Sequence, residues 1–254
     1  MKYGIIVNTN ECVGCHACFT ACKEENQVLP GVKWNRIDRI EHEKARVIEY
    51  FRLSCMHCED PACMKVCPAK AIHKGPAGEV LVDHAKCIGC RMCEKACPYG
   101  APQFADPKKT SYFGEKTPLE VIPDASGKTS GTPGKAEHCT LCTHRTSQGL
   151  LPACVAACST GALTFVDYDN PSPEAKALLA QARPMNEAAG THPKVVYVSS
   201  HTDFAKTQKT LLTESFARLP RPKSSCHRRK GFGLFSFDAT ERRRIASQVD
   251  EVGA

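Results

Sequence analysis

The chain has 254 residues, 42% apolar and 24% charged, enough for one large or two small domains. No apolar run approaches the roughly 18 residues a spanning helix needs, which excludes a membrane-embedded chain, and the run Gly4–Val7 is too short for a secretory signal. The formal charge of +7 first suggests nucleic acid, but residues 218–244 hold nine Lys/Arg against two Asp/Glu, so the basic excess is a property of the tail and the remaining chain is neutral.

The elements follow in chain order. Tyr3–Asn8 reads as a strand leading into the cysteines at 12, 15, 18 and 22. A helix over His16–Glu25 puts Cys18 and Cys22, four apart, on one face. Val47–Leu53 is a strand before the cysteines at 55, 58, 63 and 67, and Pro61–Val66 a short helix with Pro near its start. Gly75–Gly78 is a turn and Glu79–Val82 a strand. The cysteines at 87, 90, 93 and 97 then surround a short helix over Arg91–Ala96. Residues 105–137 contain four Gly, four Pro and seven Ser/Thr, a connector composition. The last group is at 139, 142, 154 and 158. Beyond it lie a helix opened by Ser172-Pro173 and running to about Ala182, a strand Lys194–Ser199 and an amphipathic helix Ala205–Leu219.

Sixteen of the 17 cysteines therefore fall into four groups of four. Disulfides suit short exported chains, and a CxxC loop is too small to staple much. Zinc takes four ligands around one ion, usually as two separated pairs. Thiols at i, i+3, i+6 and i+10 fit that poorly and fit a cubane, whose irons stand farther apart. CxxCxxCxxxCP, present at Cys87–Pro98, is a ferredoxin signature in which the fourth cysteine ligates the other cluster of a pair. Sixteen thiolates make four 4Fe-4S clusters, whose combined charge of about −8 brings the oxidised protein near −1. A nucleic-acid partner then has little support. Residues 51–104 form a contiguous two-cluster unit, and internal repetition pairs 1–30 with about 136–168 as a second, discontinuous one.

The segments CVGCHACFTACKEEN, CMHCEDPACMKVCP, CIGCRMCEKACPYG and CTLCTHRTSQGLLPACVAACSTGAL resemble the four-cluster iron–sulfur subunits of the dimethyl sulfoxide reductase, or molybdopterin oxidoreductase, family, among them polysulfide, thiosulfate and arsenate reductases. The resemblance covers about residues 1–200, and the long connector is closest to arsenate-type members. It implies an α+β fold of two ferredoxin-like double-cubane units related by pseudo-twofold symmetry, one inserted in the other, with long loops and a C-terminal extension. The expected segments are 1–30, 51–104, a connector 105–135, a second half 136–200 and a helix with basic tail 201–254. It also implies interleaved ligation. Cluster one takes Cys12, Cys15, Cys18 and Cys158; cluster two takes Cys22, Cys139, Cys142 and Cys154. Cluster three takes Cys55, Cys58, Cys63 and Cys97; cluster four takes Cys67, Cys87, Cys90 and Cys93. Cys90 fills a position where some relatives hold only three irons. Ser159 stands where Pro often follows the last cysteine, which bears on stiffness rather than ligation.

The implied function is outer-sphere electron transfer in anaerobic respiration, with no catalytic residue. Cluster one faces a large molybdopterin catalytic subunit and cluster four a quinone-reactive membrane subunit. The implied location is peripheral at the cytoplasmic membrane, on the periplasmic face through co-export, with the cytoplasm as alternative. A freestanding polyferredoxin and the electron-transfer subunit of a formate dehydrogenase or hydrogenase are the competing functions. The Val13-Gly14 and Ile88-Gly89 loops are expected to supply N–H donors to sulfur, and Ile5, Val66 and Ile88 to exclude water. Cys226 reads as a free thiol. His16, His57 and His138 read as solvated or neighbouring groups, Lys23, Lys65 and Lys95 as surface charge, and Trp34 as packing.

Overall fold

The structure, a computed structural model, describes residues 1–108 and 132–201. Chain contacts divide the molecule into Met1–Ala217 and Arg218–Ala254, so every described residue lies in the first unit. The expected helix at 205–219, Cys226 and the basic tail lie outside the described residues.

The order is β1 (Tyr3–Asn8), α1 (Ala17–Glu25), β2 (Asn35–His42), β3 (Val47–Ser54), α2 (Ala62–Lys65), β4 (Ile72–Lys74), β5 (Val80–Val82), α3 (Met92–Ala96), β6 (Gln103–Phe104), β7 (Ala136–Glu137), α4 (Thr143–Thr146), α5 (Ala153–Ala156), β8 (Leu163–Asp167), α6 (Pro173–Gln181), β9 (Arg183–Pro184) and β10 (Val195–Val198). It is a mixed α and β architecture. The three helices expected at the cysteine groups start later than their sequence suggests. His16 and Arg91 adopt left-handed φ of 61° and 62°, and Pro61 is extended, so each caps its helix instead of entering it.

Strands β8-β1-β10-β9 form a four-stranded sheet. β1 pairs antiparallel with β8 and parallel with β10, Ile6 standing opposite Thr164 and Val196. Alternation along these strands sorts the core. Ile5, Val7, Val195 and Tyr197 face the core that contains the cysteines. Ile6, Val166, Val196 and Val198 face away, under Ala175 and Leu178 of α6. That helix begins as the sequence indicates: the Ser172 hydroxyl accepts from the Ala175 N–H at 3.2 Å, ahead of Pro173.

The β2–β3 hairpin pairs eight residues, from Asn35↔Ser54 to His42↔Val47. β2 was not legible in the sequence, because NRIDRIEH carries charge on both faces and gives no apolar alternation. β3 drives Phe51, Arg52 and Leu53 inward and delivers the chain to Cys55. Ile5 is buried and Val66 half-buried, as a water-excluding role needs. Ile88 is not: it is 66% exposed at the tip of its loop, since Cys87 and Cys93 on either side turn inward.

Candidate metal centre

All sixteen grouped cysteines lie among the described residues, and all are unpaired thiols. The loops that hold them share a backbone device. In each group the residue before the second cysteine has positive φ: Gly14 at 68°, His57 at 44°, Gly89 at 73° and Leu141 at 55°. A left-handed residue there curls the loop, so its thiols face one side. Glycine supplies this in the first and third groups; His57 and Leu141, both buried, are held there by packing.

The thiols gather across groups. One hollow is lined by Cys55, Cys58 and Cys63 of the second group together with Cys97 of the third, and encloses about 350 Å³ of atom-free space, part of it open to solvent. A second, of about 320 Å³, is lined by Cys87, Cys90 and Cys93 with Cys67 of the second group. α2 and α3 pack together; each carries the third cysteine of its group into one hollow, and the fourth, just past the helix end, lines the other.

The first and fourth groups interleave in the same way. Cys12 feels the charge of Cys158 and Cys15, and Cys18 that of Cys154, Cys12 and Cys158. Cys22, one helical turn beyond Cys18, feels Cys139, Cys154 and Cys142. The Asn26 amide donates to Cys22 Sγ and Cys142 Sγ, both at 3.7 Å, and so joins these two groups directly. Contacts between α1 and α5 bring the helical parts of the two groups together.

Burial pushes these thiols up: Cys58 and Cys142 to about 12, and Cys18, Cys55, Cys93, Cys97 and Cys139 to about 11. A thiol in such surroundings becomes a thiolate only against a compensating cation. The surroundings also supply donors to sulfur. The N–H groups of Ala71, Ala101, Leu141 and Ala136 reach Cys67, Cys97, Cys139 and Cys87 at 3.3, 3.5, 3.4 and 3.5 Å. The Gly14 N–H stabilises the Cys12 thiolate as expected. Cys87 is served by Ala136, 49 residues along the chain.

Among the described residues, no group of three or more His, Cys, Asp or Glu is arranged to hold a single metal ion. The donor set fits a group with several metal atoms instead: four soft thiols set around a hollow, apolar walls and N–H donors aimed at sulfur.

Of the two readings open for His57 and His138, solvated or neighbouring, they take the second: both are buried, with rings 6.4 Å apart, and burial lowers both. His57 Nδ1 accepts from the Val80 N–H at 3.0 Å. Lys23 is not plain surface charge. Its Nζ donates to the Leu29 carbonyl at 2.9 Å, and burial lowers it to about 8. Lys65 and Lys95 are exposed, Lys65 pairing with Asp60 at 2.7 Å. Trp34 packs between two cores, and its indole N–H reaches Glu137 at 3.4 Å. Burial pushes Glu137 up to about 7. Arg52 escaped sequence reading altogether: FRLSC looks like an ordinary strand end, yet the guanidinium is 1% exposed among the thiols of two groups.

A family model described as a 4Fe-4S dicluster domain matches residues 46–113 and 114–168. The chain is 33% identical over 229 residues to an arsenate respiratory reductase iron–sulfur subunit of a Shewanella species, covering 79% of this chain and 97% of that one. It is 30% identical over 257 residues to a putative dimethyl sulfoxide reductase iron–sulfur subunit of Halobacterium salinarum, covering 94% and 95%. It is 34% identical over 206 residues to one of the chains of the anaerobic dimethyl sulfoxide reductase of Escherichia coli, covering 77% and 87%. Among the described residues no helix is long and apolar enough to cross a membrane.

Proposed function

The chain belongs to the family of iron–sulfur subunits of the arsenate and dimethyl sulfoxide reductases, and on that premise we propose that it relays electrons between a molybdopterin catalytic subunit and a quinone-reactive membrane subunit. It is an electron-transfer subunit and not itself the catalyst. Four 4Fe-4S clusters are proposed. The ligands are Cys12, Cys15, Cys18 and Cys158 for the first, and Cys22, Cys139, Cys142 and Cys154 for the second. Cys55, Cys58, Cys63 and Cys97 hold the third, and Cys67, Cys87, Cys90 and Cys93 the fourth. The observation that carries this reading is the crossing of Cys67 and Cys97 between two four-thiol hollows.

The same crossing supports two double-cubane units related by pseudo-twofold symmetry. One is contiguous over 51–104 and is inserted into the other, built from 1–30 and 136–200. The shared positive φ at Gly14, His57, Gly89 and Leu141 supports that repetition. The connector 105–135 and the extension 201–254 complete the division.

When bound, each cluster supplies one-electron storage and outer-sphere transfer. The chain's residues do the rest. The cysteines hold sulfur at fixed positions. The N–H groups of Ala71, Ala101, Leu141 and Ala136 stabilise added negative charge on it. Ile5, Phe51, Leu53 and Tyr197 keep the interior dry, which limits the reorganisation that accompanies each transfer.

Iron, acid-labile sulfide and zinc per chain, measured on anaerobically purified protein, test the cofactor. About 16 iron and 16 sulfide are expected; about four zinc with little sulfide overturns the reading. Isolation from native membranes tests the partners: co-purification with a large molybdenum subunit is expected, and a free carrier points to a polyferredoxin. A periplasmic location on the membrane, through co-export, is part of the proposal. Protease added to intact spheroplasts then degrades the chain, and protection places it inside.

A further inference from the structure

Arg52 stands on β3, three residues before Cys55, and is wholly buried. Its Nη2 donates to Cys154 Sγ at 3.4 Å and its Nη1 to Ser54 Oγ at 2.7 Å. The Ser54 hydroxyl in turn donates to the Cys55 carbonyl at 3.1 Å. The third nitrogen, Nε, has no hydrogen-bond partner among the described residues. The ion pairs that arginines form among the described residues belong to Arg36, Arg39, Arg91 and Arg145, not to Arg52.

A guanidinium taken out of water needs negative charge close by, or it destabilises the fold. Among the described residues no carboxylate pairs with it. The guanidinium nevertheless stays protonated in proteins, and the sulfurs of Cys154, Cys139, Cys18 and Cys22 stand around it. Three of these four cysteines belong to one proposed set, and the hydrogen bond from Arg52 to sulfur goes to that set. The position is also held from the other side. The Tyr197 hydroxyl donates to the Arg52 carbonyl at 3.1 Å, which fixes the backbone from which the side chain extends.

We propose that Arg52 is a fixed positive charge that selectively stabilises the reduced form of the centre held by Cys22, Cys139, Cys142 and Cys154, raising its potential relative to the other three. This rests on the ligand sets proposed above. Reduction adds one electron to that centre while a neighbouring centre is oxidised by one. The guanidinium stays protonated throughout, so no proton accompanies the electron. The effect comes from a charge-assisted N–H···S bond and from Coulomb attraction in a dry interior, both stronger for the more negative redox state. Ser54 orients the fork, so the second Nη is already occupied and Nη2 is left for sulfur.

The test is an EPR-monitored redox titration of the purified protein, in its complex where one forms, comparing wild type with Arg52→Gln and Arg52→Lys. Arg52→Gln is expected to shift one centre alone to lower potential, by at least a tenfold change in its reduction equilibrium, 59 mV for one electron. Arg52→Lys, which keeps the charge, is expected to recover most of that shift. Wild-type protein labelled with 15N-arginine is expected to show nitrogen coupling in the pulsed EPR of one reduced centre. That measurement needs no variant and so stands even where Arg52→Gln fails to fold. Unmoved midpoints at full iron content, four midpoints moved equally, or no 15N coupling would each overturn the proposal. Wild-type protein without four cubane signals would instead overturn the ligand reading beneath it.

Discussion

The Thr9 hydroxyl donates to Glu49 Oε1 at 2.9 Å, joining two residues 40 apart in the chain. Ser199 Oγ donates to the same oxygen at 2.6 Å, and His42 Nε2 lies 2.6 Å from Oε2. One buried carboxylate thus ties the ends of β1 and β10 to both strands of the β2–β3 hairpin, and β3 leads directly to Cys55. The first expectation concerns this clasp. Glu49→Ala removes a partner from buried Thr9 and from half-buried His42 and Ser199, at about 0.5–1.5 kcal/mol each. Iron should be complete in the cold but released much faster on heating. An unchanged release rate would show that the hairpin is anchored without Glu49.

The exchange of fourth cysteines between hollows predicts which variants resemble one another. Cys97→Ala and Cys63→Ala should lose or alter the same EPR species, because both thiols line the hollow of Cys55 and Cys58. Cys67→Ala should resemble Cys93→Ala. A result in which Cys97→Ala matches Cys93→Ala, its own sequence group, contradicts the exchange. Cys90→Ala should leave three thiols in its hollow and cost about one iron of about sixteen.

Stability should fall as acid is added below about pH 6.5, and the sign follows from three buried groups. His57 and His138 are held below their ordinary 6.5 by burial, so the folded state refuses protons that the unfolded state binds. Each contributes stability that is present above 6.5 and lost below it. Glu137 acts oppositely: burial raises it from 4.5 to about 7, so the folded state keeps a proton the unfolded state has lost. Below about pH 6.5 two histidines that resist protonation stand against one carboxyl that favours it, so acid destabilises on balance. The urea concentration that half-unfolds the anaerobic protein should therefore drop on acidification. Glu137→Gln should steepen the drop and His57→Gln should flatten it. Equal slopes in all three proteins would remove these groups from the account.

Two glycines of similar φ separate backbone strain from contact. Gly161 sits at 71° with nothing within 4 Å of an added Cβ, so Gly161→Ala should cost about 1–2 kcal/mol. Gly14 sits at 68°, but its Cβ would stand 2.5 Å from the Tyr50 ring. Gly14→Ala should cost more and should perturb the EPR of the centre nearest Cys12 and Cys15, while Gly161→Ala leaves all spectra alone. Gly14→Ala,Tyr50→Ala should recover part of the loss, and failure to do so would place the strain elsewhere.

The cysteine spacing determined the chemistry without any fold. Thiols at i, i+3 and i+6 suit only a metal group with well-separated corners, and that is a local property of the chain. The caps at Ser172-Pro173 and the strands β1 and β10 were legible for the same reason, since caps and alternation are written within a few residues. What surrounds sulfur was not. Arg52 reaches Cys154 across 102 residues, Ala136 reaches Cys87 across 49, and His57 and His138 meet in a shared interior. Ile88 and Lys23 read wrongly because residue type predicts burial only on average, and whether a side chain meets water depends on which distant segment covers it. The sequence by itself therefore determined the soft donors and their local spacing. Only the tertiary structure decided which charges and N–H groups face those donors, because such contacts form between segments that packing, not spacing, brings together.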